Sequence, residues 1–368
     1  MLRTPISADS HITEPPNCYV DHIDPKYRET APHIVRREGV GDVFVIEGMT
    51  TPVPLGLLAA AGKEPSKITT DGVTFDELWR SGWDPKYRLA DQDRDGIGAE
   101  MIYPTVGMLL CNHPDFDFKK ACFEAYNRWL SEYCAEAPAR LHGLAQVSMR
   151  TPEDGIAELK AVKDMGFKGV MMPGDPAQED YDSPIYDPVF ATAVELGLPL
   201  SFHILTTKSG SLAQNPRGPR INGFLSIIRG CQDIMGTLIF GGVFDRHPGL
   251  KVVCVEADAG WAPHYMYRMD HAYKRHRYWM KAPPLKRMPS EYFCDHIYMT
   301  FQDDYVAFKT KDLVNVRRLM WASDFPHSDS TWPNSQAVLE EQTVGLTEDE
   351  RNWICHDNVA ELYGLRLN

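Results

Sequence analysis

Carboxylates and imidazoles gather in four short stretches of the chain: Asp9-Ser10-His11, Phe202-His203, Glu256-Ala257-Asp258 and Ser323-Asp324-Phe325-Pro326-His327. In an extended segment, residues two apart project to the same face, so Asp9 and His11 can meet at one point. A carboxylate and an imidazole facing one point form half a metal site. His203 and Asp324, arriving from other elements, are the candidates for the rest. Two imidazoles and two carboxylates suit one borderline divalent ion, zinc first, with manganese or iron(II) as alternatives. Such an ion acts as a Lewis acid and template, or lowers the pKa of a bound water. Asp324, Glu256 and His203 are the candidates for catalysis in such a site.

Each signal is weak alone. A single strand-end histidine is more often a satisfied core residue, a D-x-H triplet recurs by chance, and S-D-F-P can be a plain strand stop. Other candidates fare worse. Asp91-Gln92-Asp93-Arg94-Asp95-Gly96 starts like a calcium loop, but its twelfth position is Ile102, where a bidentate Glu is required. It reads as a turn or helix-cap cluster. His247 sits in a polar turn, His264 and His271 fall on a predicted helix, and His296 opens a strand at its non-catalytic end. All four read as structural. Lys208, Arg217 and Arg220 lie in a polar loop, Thr206–Arg220, that could clamp a carboxylate or equally be a solvated surface loop, the better reading residue by residue. Arg217, Arg220 and His327 are the expected substrate contacts.

The elements that must position these residues follow a regular order. Eight short runs rich in apolar and β-branched residues recur: Pro5–Ala8, Ala99–Thr105, Leu141–Met149, Gly169–Met172, Leu198–Ile204, Leu250–Ala257, His296–Phe301 and Arg318–Ser323. Helical periodicity separates them, over Phe118–Ala135, Glu153–Met165, Asp187–Leu196, Leu225–Ile239, Trp261–Tyr278, Asp304–Lys311, Asn334–Glu341, Glu348–Ile354 and Asn358–Tyr363. Thr151-Pro152 supplies a cap and a first-turn proline, and Gly197 a C-terminal stop. Strands alternating with helices imply right-handed βαβ units and a parallel sheet. Eight of them, with no G-x-G-x-x-G after an early strand, predict an α/β fold of the (β/α)8 TIM-barrel type. In that architecture catalytic groups sit at the carboxyl ends of strands, and the first, fifth, sixth and eighth runs end in the four stretches above. Residues 13–98, rich in proline and glycine with only a hint of a strand at Asp42–Ile46, exceed one βα unit. They are expected to form an insertion over the barrel mouth, within a single domain spanning 1–368.

The chain's 368 residues, 43% of them hydrophobic, are enough for one barrel with insertions. The net charge of −13 and the absence of a basic stripe argue against nucleic acid. No apolar run approaches a membrane span. The N-terminus turns polar too early for a signal peptide, so a cytoplasmic location is expected. The eight cysteines are scattered without a C-x-x-C pair and read as small buried apolar residues.

With these pieces in order, the sequence resembles the amidohydrolase superfamily, in the branch that includes aminocarboxymuconate-semialdehyde and γ-resorcylate decarboxylases. The matching segments are ISADSHITEP, GFKGVMMPG, LPLSFH, FDRHPGLKVVCVEADAGWAP and MWASDFPHSDSTWP, spread over nearly the whole chain. The resemblance implies Asp9, His11, His203 and Asp324 as ligands of one divalent ion, with Asp324 also handling protons, and a homodimer. One departure stands out. Those decarboxylases carry a catalytic histidine at the end of strand six, where this chain has Glu256. Two reactions follow. One is non-oxidative decarboxylation of a small aromatic or unsaturated carboxylic acid, which the resemblance favours. The other is hydrolysis of an amide, lactone or C–C bond by activated water. A non-catalytic binding protein on the same fold is the third reading.

Overall fold

The computed structural model describes residues 1–207 and 218–366. Strand β1 (Ile6–His11) opens the chain, and every one of its six residues is buried. Next comes an antiparallel sheet of β2 (His33–Arg37), β3 (Gly41–Val45) and β4 (Val53–Pro54). Helix α1 (Pro85–Asp95), capped by the Asp84 side chain, leads into β5 (Ala99–Tyr103). Then follow α2 (Val106–Leu110), α3 (Phe116–Ala135), β6 (Leu141–Gly143), β7 (Ala145–Gln146), α4 (Pro152–Asp164), β8 (Val170–Met171), α5 (Asp187–Leu196) and β9 (Leu200–His203). The second half adds α6 (Arg229–Phe240), α7 (Val243–Arg246), β10 (Val252–Val255), α8 (Ala262–His276), α9 (Pro289–His296), β11 (Ile297–Phe301), α10 (Tyr305–Lys309) and β12 (Leu319–Trp321). Helices α11 (Ser335–Gln342), α12 (Glu348–Asn352) and α13 (Asn358–Tyr363) close the chain.

All pairings outside the small antiparallel sheet are parallel. They run β1-β5-β6 in one sheet and β7-β8-β9-β10-β11-β12 in another. This is the strand order of the expected (β/α)8 barrel. The third predicted run is divided between the two sheets, as β6 and β7. The other join, between β12 and β1, is not a strand ladder. There the Asp324 N–H donates to Asp9 O (3.0 Å) and the His11 N–H to Phe325 O (2.7 Å), while the Ser323 N–H reaches Ser7 Oγ (2.8 Å). The inner strands are buried along their lengths, as strands covered on both faces should be.

Residues 13–98 hold more structure than the sequence suggested. The strand hinted at Asp42–Ile46 is β3, flanked by two partners, and the last part is helix α1. Packing ties the segment to loops at the carboxyl ends of the barrel strands. The Ala61 N–H donates to Pro326 O, Trp79 meets Trp332 edge to face at 5.2 Å, and His113 donates from Nε2 to Glu47 O. Ala61, Phe325 and Trp332 form a small apolar cluster of their own. Helix α9 escaped the periodicity reading altogether. Its signals were Pro289 in the first turn and Glu291, whose carboxylate returns to the Met288 N–H.

Candidate metal centre

The ladder between β1 and β5 slips by one residue between Ser7 and Ser10. Such a bulge re-aims the side chains beyond it. Asp9 and His11 emerge fully buried. Pro104 O can only accept, so His11 donates its Nδ1–H to it (2.8 Å) and turns a bare Nε2 inward. That Nε2 lies 3.2 Å from Asp324 Oδ1, 3.4 Å from Asp9 Oδ1 and 3.8 Å from Glu256 Oε2. His203, at the end of β9, repeats the pattern. Its Nδ1 bonds Ile204 O, leaving Nε2 at 3.3 Å from Glu256 Oε2 and 3.6 Å from Asp9 Oδ1. The two rings meet edge to face, 5.0 Å between centres.

Glu256 follows directly on β10 and Asp324 lies three residues past the end of β12, and both hold a left-handed backbone, φ 54° and 55°. Non-glycine residues seldom adopt it, and such outliers cluster at functional sites. The Glu256 amide is fixed by Thr300 Oγ1 (2.9 Å). His327, three residues past Asp324, stacks on His11 at 3.8 Å between ring centres, with Nδ1 3.3 Å from Asp324 Oδ1.

Charge is concentrated here with little solvent to share it. Burial alone would raise the Asp324 carboxyl, but His327 and His11 outweigh it and hold it below the ordinary carboxylate range. Asp9 is lowered in the same way, by His203 and His11 against burial. His11 goes up, because Asp324 and Asp9 overcome the effect of burial. Glu256 is pushed well up, first by burial and then by Asp324 and Asp9. Nearer the mouth, burial together with Asp304 and Asp329 takes Asp258 up to about 7.

The four residues expected as ligands, Asp9, His11, His203 and Asp324, fall in two overlapping clusters that share His11 and Glu256, with Asp324 in the second and not the first. Ligand atoms of Asp9, His11, His203 and Glu256 lie within 4.8 Å of one another, as do those of His11, Glu256, Asp324 and His327. Both carboxylate oxygens of Asp9 and Asp324, the Nε2 atoms of His11 and His203, and Glu256 Oε2 are buried without a hydrogen-bond partner. Buried polar atoms are normally paired, because an unpaired one forfeits its hydration. Bare imidazole nitrogens and carboxylate oxygens converging on one point are the donor set of a divalent cation, and the site fits one. The opposite nitrogen of each imidazole is held by a backbone carbonyl, the outer arrangement that orients metal-binding histidines.

The expected substrate contacts divide differently. His327 is at the site. Arg220 is exposed, at the start of a short 3-10 turn, Arg220–Gly223. Lys208 and Arg217 lie outside the described residues. His247 bonds Asp187 Oδ1 and His296 bonds Leu250 O, both away from the cluster. Sequence reasoning missed the supports: Glu14, the Pro104-Thr105 turn, and the buried pair Arg88–Glu100.

A parallel barrel with carboxylates and imidazoles converging at the carboxyl ends of β1, β9, β10 and β12 is the architecture of a metal-dependent barrel enzyme. The chain belongs to the amidohydrolase family, whose model matches residues 9–365. It is similar to the γ-resorcylate decarboxylase of Rhodococcus jostii, 26% identical over 272 residues, which cover 65% of this chain and 75% of that one. Among solved structures, an amidohydrolase from Mycobacterium avium subsp. paratuberculosis superposes with a TM-score of 0.79 at 23% identity, over 99% of this chain and 100% of the other. A 5-carboxyvanillate decarboxylase from Novosphingobium aromaticivorans, complexed with manganese and 4-hydroxy-3-methoxy-5-nitrobenzoic acid, gives 0.69 at 20% identity, over 99% and 96%. No described helix is long and apolar enough to cross a membrane.

Proposed function

We propose that this chain is a metal-dependent, non-oxidative decarboxylase of small aromatic or unsaturated carboxylic acids. The convergence of unpartnered, buried ligand atoms at the carboxyl ends of the strands carries the reading. The decarboxylases among its relatives supply the reaction class. Asp9, His11, His203 and Asp324 hold the ion, with Glu256 facing the same point. The ion is zinc in our reading, with manganese, present in a structural neighbour, as the alternative. When bound, it supplies Lewis-acid chemistry and a template for the substrate's carboxylate and an adjacent oxygen.

The rest falls to the side chains. Asp324, ionised at rest because His327 and His11 hold its carboxyl low, takes up a proton from solvent and passes it to the ring carbon that bears the carboxylate. The bond from that carbon to the carboxyl carbon then breaks, its electron pair restores conjugation, and carbon dioxide leaves. His327, with Nδ1 3.3 Å from Asp324 Oδ1, is the group beside the proton donor. Glu256 orients substrate against the ion's face of the pocket. Residues 13–98 roof the mouth and exclude water, and the enzyme works in the cytoplasm as a homodimer.

The test is a panel of hydroxybenzoic and unsaturated acids offered to metal-loaded enzyme in D2O. Carbon dioxide release, with one deuterium at the vacated carbon, is the expected result. If no acid in the panel loses carbon dioxide, the reading falls.

A second reading, hydrolysis, is favoured by Glu256, which adds a carboxylate beside Asp324 for general acid-base work. It requires oxygen from labelled water in a product carboxylate.

A further inference from the structure

The end of β5 contributes no ligand atom to the cluster, yet the turn that follows it touches two of the imidazoles there. Pro104 O accepts from His11 Nδ1, and Thr105 Oγ1 lies 2.9 Å from His327 Nε2. The direction of the second bond can be read from its neighbours. The Thr105 hydroxyl has a single hydrogen, and it donates that hydrogen to Ile12 O at 2.6 Å, an atom that can only accept. Toward His327 the hydroxyl is therefore an acceptor, and Nε2 must carry the hydrogen. The ring edge left facing Asp324 Oδ1 is Nδ1.

The turn is itself pinned. Glu14 Oε1 accepts from the Thr105 N–H (3.0 Å) and the Gly107 N–H (3.2 Å). Glu14 is fully buried, and a Cβ at Gly107 would stand 2.7 Å from Pro104 Cβ and 2.1 Å from Gln146 Oε1, so a larger residue there would have to shift the turn.

We propose that Thr105, anchored by Glu14, is a positioning residue that fixes His327 in one ring orientation, with Nε2–H tied to the turn and Nδ1 presented to Asp324. This rests on the reading of Asp324 as the proton donor, and it gives His327 a single face toward that donor. Neither Glu14 nor Thr105 touches the substrate in this scheme. They act through the imidazole.

The experiment uses zinc-loaded enzyme labelled with 15N-histidine, wild type against Thr105→Val and Thr105→Ser, with the His327 signals assigned by their loss in His327→Gln. In wild type, Nε2 of His327 is expected to show the one-bond N–H coupling of a protonated nitrogen. In Thr105→Val that signature is lost, metal content stays at the wild-type level, and kcat falls about 10- to 100-fold, the usual cost of losing an outer partner. Thr105→Ser, which keeps the hydroxyl, restores both. Two results overturn the proposal: an unchanged His327 signature in Thr105→Val, or a Thr105→Ser enzyme that stays as impaired as Thr105→Val. The nitrogen spectrum requires no turnover, so it stands even if the decarboxylation assay fails.

Discussion

Asp324→Asn is expected to reduce kcat/KM by at least about a thousandfold against whichever acid the wild type decarboxylates. Asparagine keeps the shape of the side chain but cannot give or hold the proton, and general acid-base groups contribute about 10²–10⁴ in rate. His203→Ala should go further and lose the metal, since it removes one of the two bare imidazole nitrogens at the centre. Elemental analysis per chain, beside steady-state rates, separates the two outcomes. The stability of Asp324→Asn gives a second readout. Without metal, the carboxyl groups of Asp9, Glu256 and Asp324 crowd around His11, and both oxygens of the two aspartates and Glu256 Oε2 lack hydrogen-bond partners. Even so, His327 and His11 hold the Asp324 carboxyl low, so its ionised form stabilises the fold at neutral pH, and metal-free Asp324→Asn should melt below metal-free wild type. Metal at a thousand times its Kd would stabilise the wild type by about 4 kcal/mol through mass action. The variant should gain much less. A metal-free Asp324→Asn protein that melts no lower than metal-free wild type would contradict this account of the site.

The largest effect on folding should come from a residue outside the site. Arg88, on α1, is fully buried, and its Nε meets Glu100 Oε2 at 2.6 Å. Its Nη1 donates to His11 O (2.8 Å) and its Nη2 to Phe325 O (3.3 Å), with the guanidinium 4.8 Å above the Phe325 ring. Glu100 also accepts from Gln92 Nε2 and Ser10 Oγ. One cation thus grips the backbone on both sides of the join between β12 and β1. Arg88→Met strands the Glu100 charge in the core, and breaking one half of such a pair costs about 3–5 kcal/mol. Glu100→Gln should be costly for the mirror reason. The double variant should cost clearly less than the sum of the two, because neither charge is then left alone. Denaturant unfolding of the four proteins completes the cycle, and strict additivity would show that the pair is not coupled. Because the grip includes His11 O, metal affinity should also weaken in Arg88→Met.

The site was more legible in the sequence than its supports. Asp9, His11, His203, Glu256 and Asp324 announce themselves because strand ends are where a barrel can use charge, and their residue types name their chemistry. The four supposed histidine outsiders kept away from the cluster, while His327 joined it. Thr105 and Pro104 were read as the mere end of a run, since one acts through a hydroxyl and the other through a carbonyl that any residue possesses. Arg88 sits in a polar segment without alternation, and only the three-dimensional course of α1 turns it inward. The antiparallel sheet of residues 33–54 was obscured by Arg36, Arg37 and Glu38, which sit at its solvent-facing turn and break the alternation expected of a half-buried strand. Helix boundaries fared best where capping was explicit, as at Thr151 and Gly197.

The left-handed backbone at the strand ends bears on how this chain can change. Met149, Leu205, Glu256, Asp258 and Asp324 all hold positive φ where barrel strands give way to loops. Each such residue other than glycine, asparagine or aspartate costs about 1–2 kcal/mol relative to an ordinary conformation. β-Branched side chains are the worst suited of all, which closes these positions to valine, isoleucine and threonine. Histidine, by contrast, is among the types enriched there. The step from Glu256 to the imidazole of the resembled decarboxylases is therefore open to a single substitution as far as the main chain is concerned. The path of the chain thus leaves the residue at this corner of the barrel free to follow the chemistry it faces.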